Sequence, residues 1–246
     1  MILPGPRMEP SVVSSTPEQS PDAASVLESL LRERWSCRAF LPHPVPESTI
    51  RRLLTIAQRS PSWCNTQPWT VRITSGEGTE RFRNELIQHV VATAGEPAPD
   101  FTFPQQYTGV RRERRRAQGW QLYAAVGVER GDHEGSLRQT MKNFELFGAP
   151  HVAIITIAAE LGTFGAVDGG IYVGAWLLAA QALGIAAIPQ AAIALQAQFV
   201  REHFSIPDDE LVLLGISFGY PDREHPVNQY RTGRAEIDEA YRHIDR

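Results

Sequence analysis

Between Asp168 and Arg201 the chain carries no charged residue, and Ile171 to Ile188 is almost wholly apolar. A run of that length belongs either to a folded core or to a membrane span. Three features argue against the span. Gln181 falls inside it, Pro189-Gln190 closes it, and no basic residues flank it closely enough to set an orientation. Gly174, Ala175, Ala179, Ala180 and Ala182 are small enough to let neighbouring elements approach closely. The run therefore reads as a buried central helix, packed on all sides, and the remaining chain must supply the layers around it.

Hydrophobic periodicity supplies them. Helical spacing is expected over 25–34, where Leu27, Leu30 and Leu31 share a stripe, and over 49–58, opened by Pro46-Glu47-Ser48. Further helices are expected over 79–92, 111–127, 135–144, 199–204 and 235–243. Residues 69–74, 151–158 and 211–218 read as strands, 185–189 as a short extended piece, 40–45 as extended, and 222–234 as polar coil. Residues 95–108, rich in Pro and aromatics, read as a surface excursion resembling a lid. Without regular strand–helix–strand alternation the class is α+β. Met1 to Pro21 is rich in Pro, Ser and Glu and has no apolar run, so it reads as a disordered tail and not a secretory signal. The organisation is thus a tail over 1–22 and one domain over 23–246.

Several function classes drop out. A net charge of -4 and a pI near 6.0 argue against non-specific nucleic-acid binding. Lys142 is the only lysine, and nothing beside it resembles a Schiff-base site. The two cysteines, Cys37 and Cys64, form no Cys-x-x-Cys, which suits a reducing, cytoplasmic setting without disulfides. The seven histidines show no metal-ligand spacing, so no metal is expected. Five arginines between 111 and 116 read as a solvated helical face partly neutralised by Glu113. Gly215-Ile216-Ser217-Phe218-Gly219 matches the nucleophile-elbow pattern, which leaves a serine hydrolase using Ser217 as a minor alternative. The helix that pattern requires is missing, because Tyr220-Pro221-Asp222 follows. The glycines are better explained by a core strand passing close to another backbone.

Two stretches carry the chemistry. In Arg34-Trp35-Ser36-Cys37-Arg38, two cations and a hydroxyl alternate, so an extended chain would project all three to one face. Arginine presents a planar fork matched to phosphate. In Ser60-Pro61-Ser62-Trp63-Cys64-Asn65-Thr66-Gln67-Pro68-Trp69, Ser62, Asn65 and Gln67 offer hydrogen bonds while Pro61 and Pro68 stiffen the loop. Trp69 reads as a core anchor. Together the two stretches suit a large, flat, polar-edged ring with a phosphate tail, which points to flavin mononucleotide (FMN).

The chain resembles the FMN-dependent nitroreductase family, in the branch of the nitrobenzoate reductases, from about Val26 to Ile244. Beside the two stretches above, which extend to Phe40 and Trp69, the resemblance is carried by three more segments. They are Asn143-Phe144-Glu145-Leu146-Phe147-Gly148-Ala149-Pro150, Gly184-Ile185-Ala186-Ala187-Ile188-Pro189-Gln190-Ala191, and Gly215 to Asp222 with Pro226-Val227-Asn228 and Arg231-Thr232-Gly233-Arg234. It implies a central mixed β-sheet flanked by helices and an intertwined homodimer with FMN at the interface. Arg34, Trp35, Ser36 and Arg38 would hold one side of FMN, and Pro61, Ser62, Trp63, Asn65 and Gln67 of the other subunit would line its rim. Pro189, Gln190 and Ala191 would pass near flavin N5, where a backbone amide can donate; better-known members have an acidic residue and Gly after that proline. Arg234, with Arg231, would reach the phosphate, and Arg38 would stabilise the reduced flavin. No side chain is expected to act as a dedicated acid or base. The implied activity is ping-pong transfer of hydride from NADH or NADPH to a nitroaromatic or quinone, without membrane or nucleic-acid partners. Dehydrogenases and dehalogenases share the fold and stay open as alternatives.

Overall fold

A computed structural model describes residues 21–245. The expected tail lies outside these residues except at its end, where Pro21 and Asp22 already open a helix. Two compact units are present, one ending at Glu33 and one running from Arg34. The described part of the first is helix α1 (Pro21–Glu33), with Asp22 in its first turn and Arg32 in its last, where each suits the helix dipole. It starts earlier than periodicity predicts because proline is well placed in a first helical turn.

The second unit is built on a four-stranded sheet: β1 (Trp69–Ile73), β2 (His151–Ala158), β3 (Ala186–Gln190) and β4 (Glu210–Gly219). Its order is β1-β2-β4-β3 and every strand pair is antiparallel. The mixed character expected of it is confined to one parallel bridge, Ser36 with Ala187, on the outer edge of β3. β3 tolerates Pro189 because it is an edge strand. β2 is buried from His151 to Ile157, so its residues form a continuous Val/Ile run with no polar face. Arg72 of β1 reaches across β2 to Glu210 of β4 through two bonds of 2.8 and 2.9 Å, and Thr156 between them also donates to Glu210.

Seven helices belong to this unit: α2 (Glu47–Ala57), α3 (Glu77–Ala92), α4 (Gly109–Ala125), α5 (His133–Met141), α6 (Gly162–Ala182), α7 (Ala191–Ala194) and α8 (Ala197–Phe204). Alternate residues of β2 feed two cores. Ala153 and Ile155 pack with Leu53 of α2 and Tyr172 and Trp176 of α6. Val152 and Ile154 pack with Phe82 and Leu86 of α3 and Val200 of α8. The architecture is α+β, with the sheet sandwiched between helical layers. Residues 93–108 form no helix or strand, as the Pro-rich composition predicts. This excursion is fastened: Asp100 accepts a bond from the Val212 N–H at 2.7 Å and pairs with Arg201 at 3.4 Å.

Two expectations need correcting. The central helix α6 begins at Gly162 and ends at Ala182, released by Gly184 at φ +72°. It is not packed on all sides: Phe164, Val167 and Ile171 are 59%, 53% and 43% exposed, while Asp168, Tyr172 and Trp176 on the adjoining face are buried. With its lead-in turn it is the one helix among the described residues long and apolar enough to cross a membrane by length and composition. The helix expected over 235–243 is a single turn, Ile237–Glu239. Ile237, Tyr241 and Ile244 stay exposed, and so short a segment is not helical without burial of an apolar face.

Candidate functional site

The segment 34–38 runs along the free edge of β3, where the Cys37 N–H donates to the Ala187 carbonyl at 3.2 Å. The coil after β4 is fastened onto it by one buried amide. Asn228 Oδ1 accepts from the Arg38 N–H at 2.9 Å, and its Nδ2 donates to the Ala39 and Asp222 carbonyls at 2.9 and 2.7 Å. That clamp brings Tyr230, Arg231 and Arg234 to the segment. Arg38 donates from Nη1 to the Ser36 carbonyl at 3.1 Å and to the Tyr230 hydroxyl at 3.0 Å. Burial holds its pKa below the usual arginine value. Burial, then the neighbouring Arg234 charge, does the same for Arg34. Arg231 lies instead over the Trp35 ring, 4.3 Å from its centroid.

Among the described residues no carboxylate forms an ion pair with Arg34, Arg38, Arg231 or Arg234. Guanidinium groups gathered without counter-charge are unfavourable in the free protein and favourable once an anion joins them. The chemistry of this donor set is therefore phosphate or carboxylate binding.

The second stretch forms a strained loop. Cys64, Asn65 and Gln67 all take left-handed backbone conformations (φ 51°, 56° and 49°), which cost a non-glycine residue about 1 kcal/mol or more each. The loop is held by tertiary bonds. Asp168, buried on α6, accepts the Trp63 N–H with both oxygens at 3.0 and 3.2 Å. Ser62 Oγ accepts the Gln67 N–H at 2.9 Å. A chain of donors runs from Trp69 Nε1 to Gln58 (3.0 Å), on to Gln67 (2.9 Å), and on to Asn65 Oδ1 (3.2 Å). Pro61, Trp63, Asn65 and Gln67 remain exposed, and Trp63 leans on Phe164 of α6 with ring centroids 4.9 Å apart. Trp69 is the core anchor expected of it, stacked on Tyr172 at 4.7 Å.

The third segment ends β3. Gln190 is buried, accepting from the Ser217 hydroxyl and donating to the Asn143 carbonyl at 2.8 Å. Its side chain is turned into the core, while the half-buried Pro189 and the exposed Ala191 flank it. Segments 34–38 and 189–191 thus share one edge of β3. No hydrogen bond, ion pair or ring contact joins the 61–67 loop to either of them among the described residues.

The same geometry excludes the hydrolase alternative. Ser217 is fully buried within a strand that runs on to Gly219, and its hydroxyl is used by Gln190. His151, stacked on Phe218, is also committed. Its Nε2 accepts the Val45 N–H at 2.9 Å, and its Nδ1 lies 3.0 Å from the Thr74 carbonyl. The flanking glycines are explained by side chains instead of backbone: a Cβ at Gly215 would meet Ile193 at 2.5 Å, and one at Gly219 would meet the Pro150 ring at 2.6 Å.

Arg38 also lines a cleft of about 630 Å³ with Phe40, Lys142, Phe147, Asp222 and His225, which contains no other residue expected at the site. Lys142 there is paired with Glu145 at 2.5 Å. Burial pushes the Cys37 thiol up to about 11. Asp168 and Tyr230 belong to no motif in the sequence. The one available signal was that Asp168 is the last charge before the uncharged run.

Residues 31–220 match the model of the nitroreductase family. The nitroreductase NfnB of Mycolicibacterium smegmatis is 37% identical over 224 residues, 90% of this chain and 94% of that one. The 4-nitrobenzoate reductase of Pseudomonas putida is 29% identical over 218 residues, 88% of this chain and 94% of that one. The crystal structure of the FMN-dependent nitroreductase NfnB from Mycobacterium smegmatis in complex with NADPH superposes with a TM-score of 0.85 at 35% identity, covering 90% of this chain and 99% of that one.

Proposed function

This chain belongs to the nitroreductase family, and from that premise we propose that it is an FMN-dependent oxidoreductase using NAD(P)H to reduce nitroaromatic compounds or quinones. The observation that carries the proposal is the cluster of arginines without carboxylate partners beside the free edge of β3. Bound FMN supplies the two-electron relay between reductant and acceptor. Arg34 and Arg234, forced together by the fold, hold its phosphate, with Trp35 and Ser36 on the same segment. Arg38, steadied by Tyr230 and the Ser36 carbonyl, presents positive charge to the ring's polar edge, where reduction accumulates negative charge. Pro189, Gln190 and Ala191 pass beside the ring, and Gln190 contributes backbone only, since its side chain is tied to Ser217 and Asn143. No side chain in these segments is placed as an acid or base, so protons come from solvent and the kinetics are ping-pong.

The protein acts as a homodimer over the domain 23–246. Two features support that. The 61–67 loop is strained yet makes no hydrogen bond, ion pair or ring contact with segment 34–38 of its own chain among the described residues, which supports Pro61, Ser62, Trp63, Asn65 and Gln67 serving the site of the other subunit. The uncovered face of α6, with Phe164, Val167 and Ile171, adjoins that loop through the Trp63–Phe164 contact and is suited to burial against a second copy. The cytoplasm is the setting that suits its free thiols. The test is spectroscopic: the purified protein is yellow, bleaches anaerobically with NADPH or NADH, and regains colour with 4-nitrobenzoate. A colourless protein that FMN cannot reconstitute defeats the proposal.

A further inference from the structure

The arginines near segment 34–38 exceed what one phosphate needs. A phosphate monoester carries between one and two negative charges near neutral pH, and Arg34 with Arg234 matches it. Arg38 is directed to Tyr230. Two guanidinium groups are left over, and both lie on one indole: Arg231 is 4.3 Å and Arg223 5.3 Å from the centroid of Trp35. Neither has an ion pair with a carboxylate among the described residues. Of the two carboxylates adjacent to Arg223, Asp222 accepts the Glu224 and His225 N–H groups through Oδ1, and neither it nor Glu224 forms an ion pair among the described residues. Arg231 is further set by Nη1 bonds to the Asn228 and Tyr230 carbonyls at 2.7 and 2.9 Å. The Trp35 indole N–H is buried and has no partner. A guanidinium stacked on an aromatic face is oriented by it while its edge donors remain available for an anion.

We infer that Arg223 and Arg231, arranged on Trp35, form a second anion subsite that takes the 2′-phosphate of NADPH. The inference rests on the proposed function, because the ligand is identified by elimination among that reaction's participants. The nitroaromatic carries no phosphate. The reductant must come to the flavin, and the segment holding this subsite is the one that holds the flavin phosphate. NADH and NADPH share a diphosphate, but only NADPH adds a terminal phosphate monoester, which suits two guanidinium groups seated against one indole better than singly charged bridging phosphates do. Arg231 is thereby reassigned from the FMN phosphate to the reductant.

The test uses the FMN-loaded enzyme and the variants Arg223→Ala, Arg231→Ala and Arg223→Lys. Calorimetric titration with 2′,5′-ADP and with 5′-AMP measures binding apart from turnover. KM is measured for NADPH and NADH, and flavin content from absorbance. Each alanine variant is expected to weaken 2′,5′-ADP about tenfold or more and to lower the NADPH-over-NADH ratio of kcat/KM by a similar factor. Arg223→Lys is expected to keep part of both. Equal losses for NADPH and NADH overturn the inference in favour of the diphosphate or a packing role for the arginines. An unchanged ratio, or 2′,5′-ADP bound no more tightly than 5′-AMP by the parent enzyme, also overturns it. Loss of flavin from Arg231→Ala returns that residue to the FMN phosphate. If the parent protein binds no FMN and oxidises neither nucleotide, the functional proposal falls and takes this subsite with it.

Discussion

Arg34→Ala separates a ligand-binding arginine from a structural one. Arg34 makes no ion pair with a carboxylate among the described residues, and its charged neighbour is Arg234. Removing it therefore deletes no stabilising salt bridge, and it relieves a like-charge contact with Arg234 that is uncompensated while the anion is absent. Loss of its charge-assisted bonds to the phosphate weakens FMN binding, by about 2–4 kcal/mol as for loss of one partner of a partly buried charge pair. That corresponds to a Kd raised about 30- to 1,000-fold. A ligand at about 100 times its Kd stabilises the folded state by about 2.7 kcal/mol, or about 5–11 °C for a chain of this size. The assay is a thermal melt of flavin-free protein with and without added FMN, beside fluorescence titration of flavin. The flavin-free midpoint of Arg34→Ala should equal or exceed that of the parent, while the FMN-induced rise falls to about a third or less. A lowered flavin-free midpoint with unchanged FMN affinity would show that Arg34 is structural and refute the placement of the phosphate.

Asp168→Leu leaves the Trp63 N–H without its acceptor, and should destabilise the protein by about 1–3 kcal/mol in denaturant titrations and speed flavin release. An unaltered release rate would detach the 61–67 loop from the cofactor. Thiol labelling under native conditions should leave Cys37 unmodified, since it is buried with its pKa pushed up to about 11; mass mapping that finds Cys37 labelled before Cys64 contradicts the burial. Burial lowers the His151 pKa below its ordinary 6.5, so the folded state binds fewer protons there than the unfolded chain. Its contribution is complete above about pH 6.5 and is lost as pH falls through the lower folded value. In an NMR pH titration the imidazole midpoint should lie below 6.5, and a midpoint at or above the free value refutes this. Glu210, lowered chiefly by its bond from Arg72, acts in a separate window beneath its ordinary 4.5.

The sequence alone determined a good deal here, for physical reasons that are local. The Val/Ile run from His151 to Ala158 could be nothing but a buried strand, and its limits agree with the fold. The alternation of Arg34, Ser36 and Arg38 and the Pro-bounded amide loop were legible as polar segments, because such spacing of charged and amide side chains is a local pattern. Tertiary structure decided the rest. An apolar stripe such as Phe164, Val167 and Ile171 has the same periodicity whether it meets its own core or is left uncovered, so the sequence could not show that one face of α6 is open. Gln190 is as able to face a ligand as the core; the Ser217 hydroxyl and Asn143 carbonyl, 27 and 47 residues distant, turn it inward. Asn228 joins Arg38 across 190 residues, and only that closure brings Tyr230, Arg231 and Arg234 to the first arginines. Hydrophobic period and turn chemistry are written in neighbouring residues. Which face stays open, and which cations meet, depends on contacts between residues that local pattern does not relate.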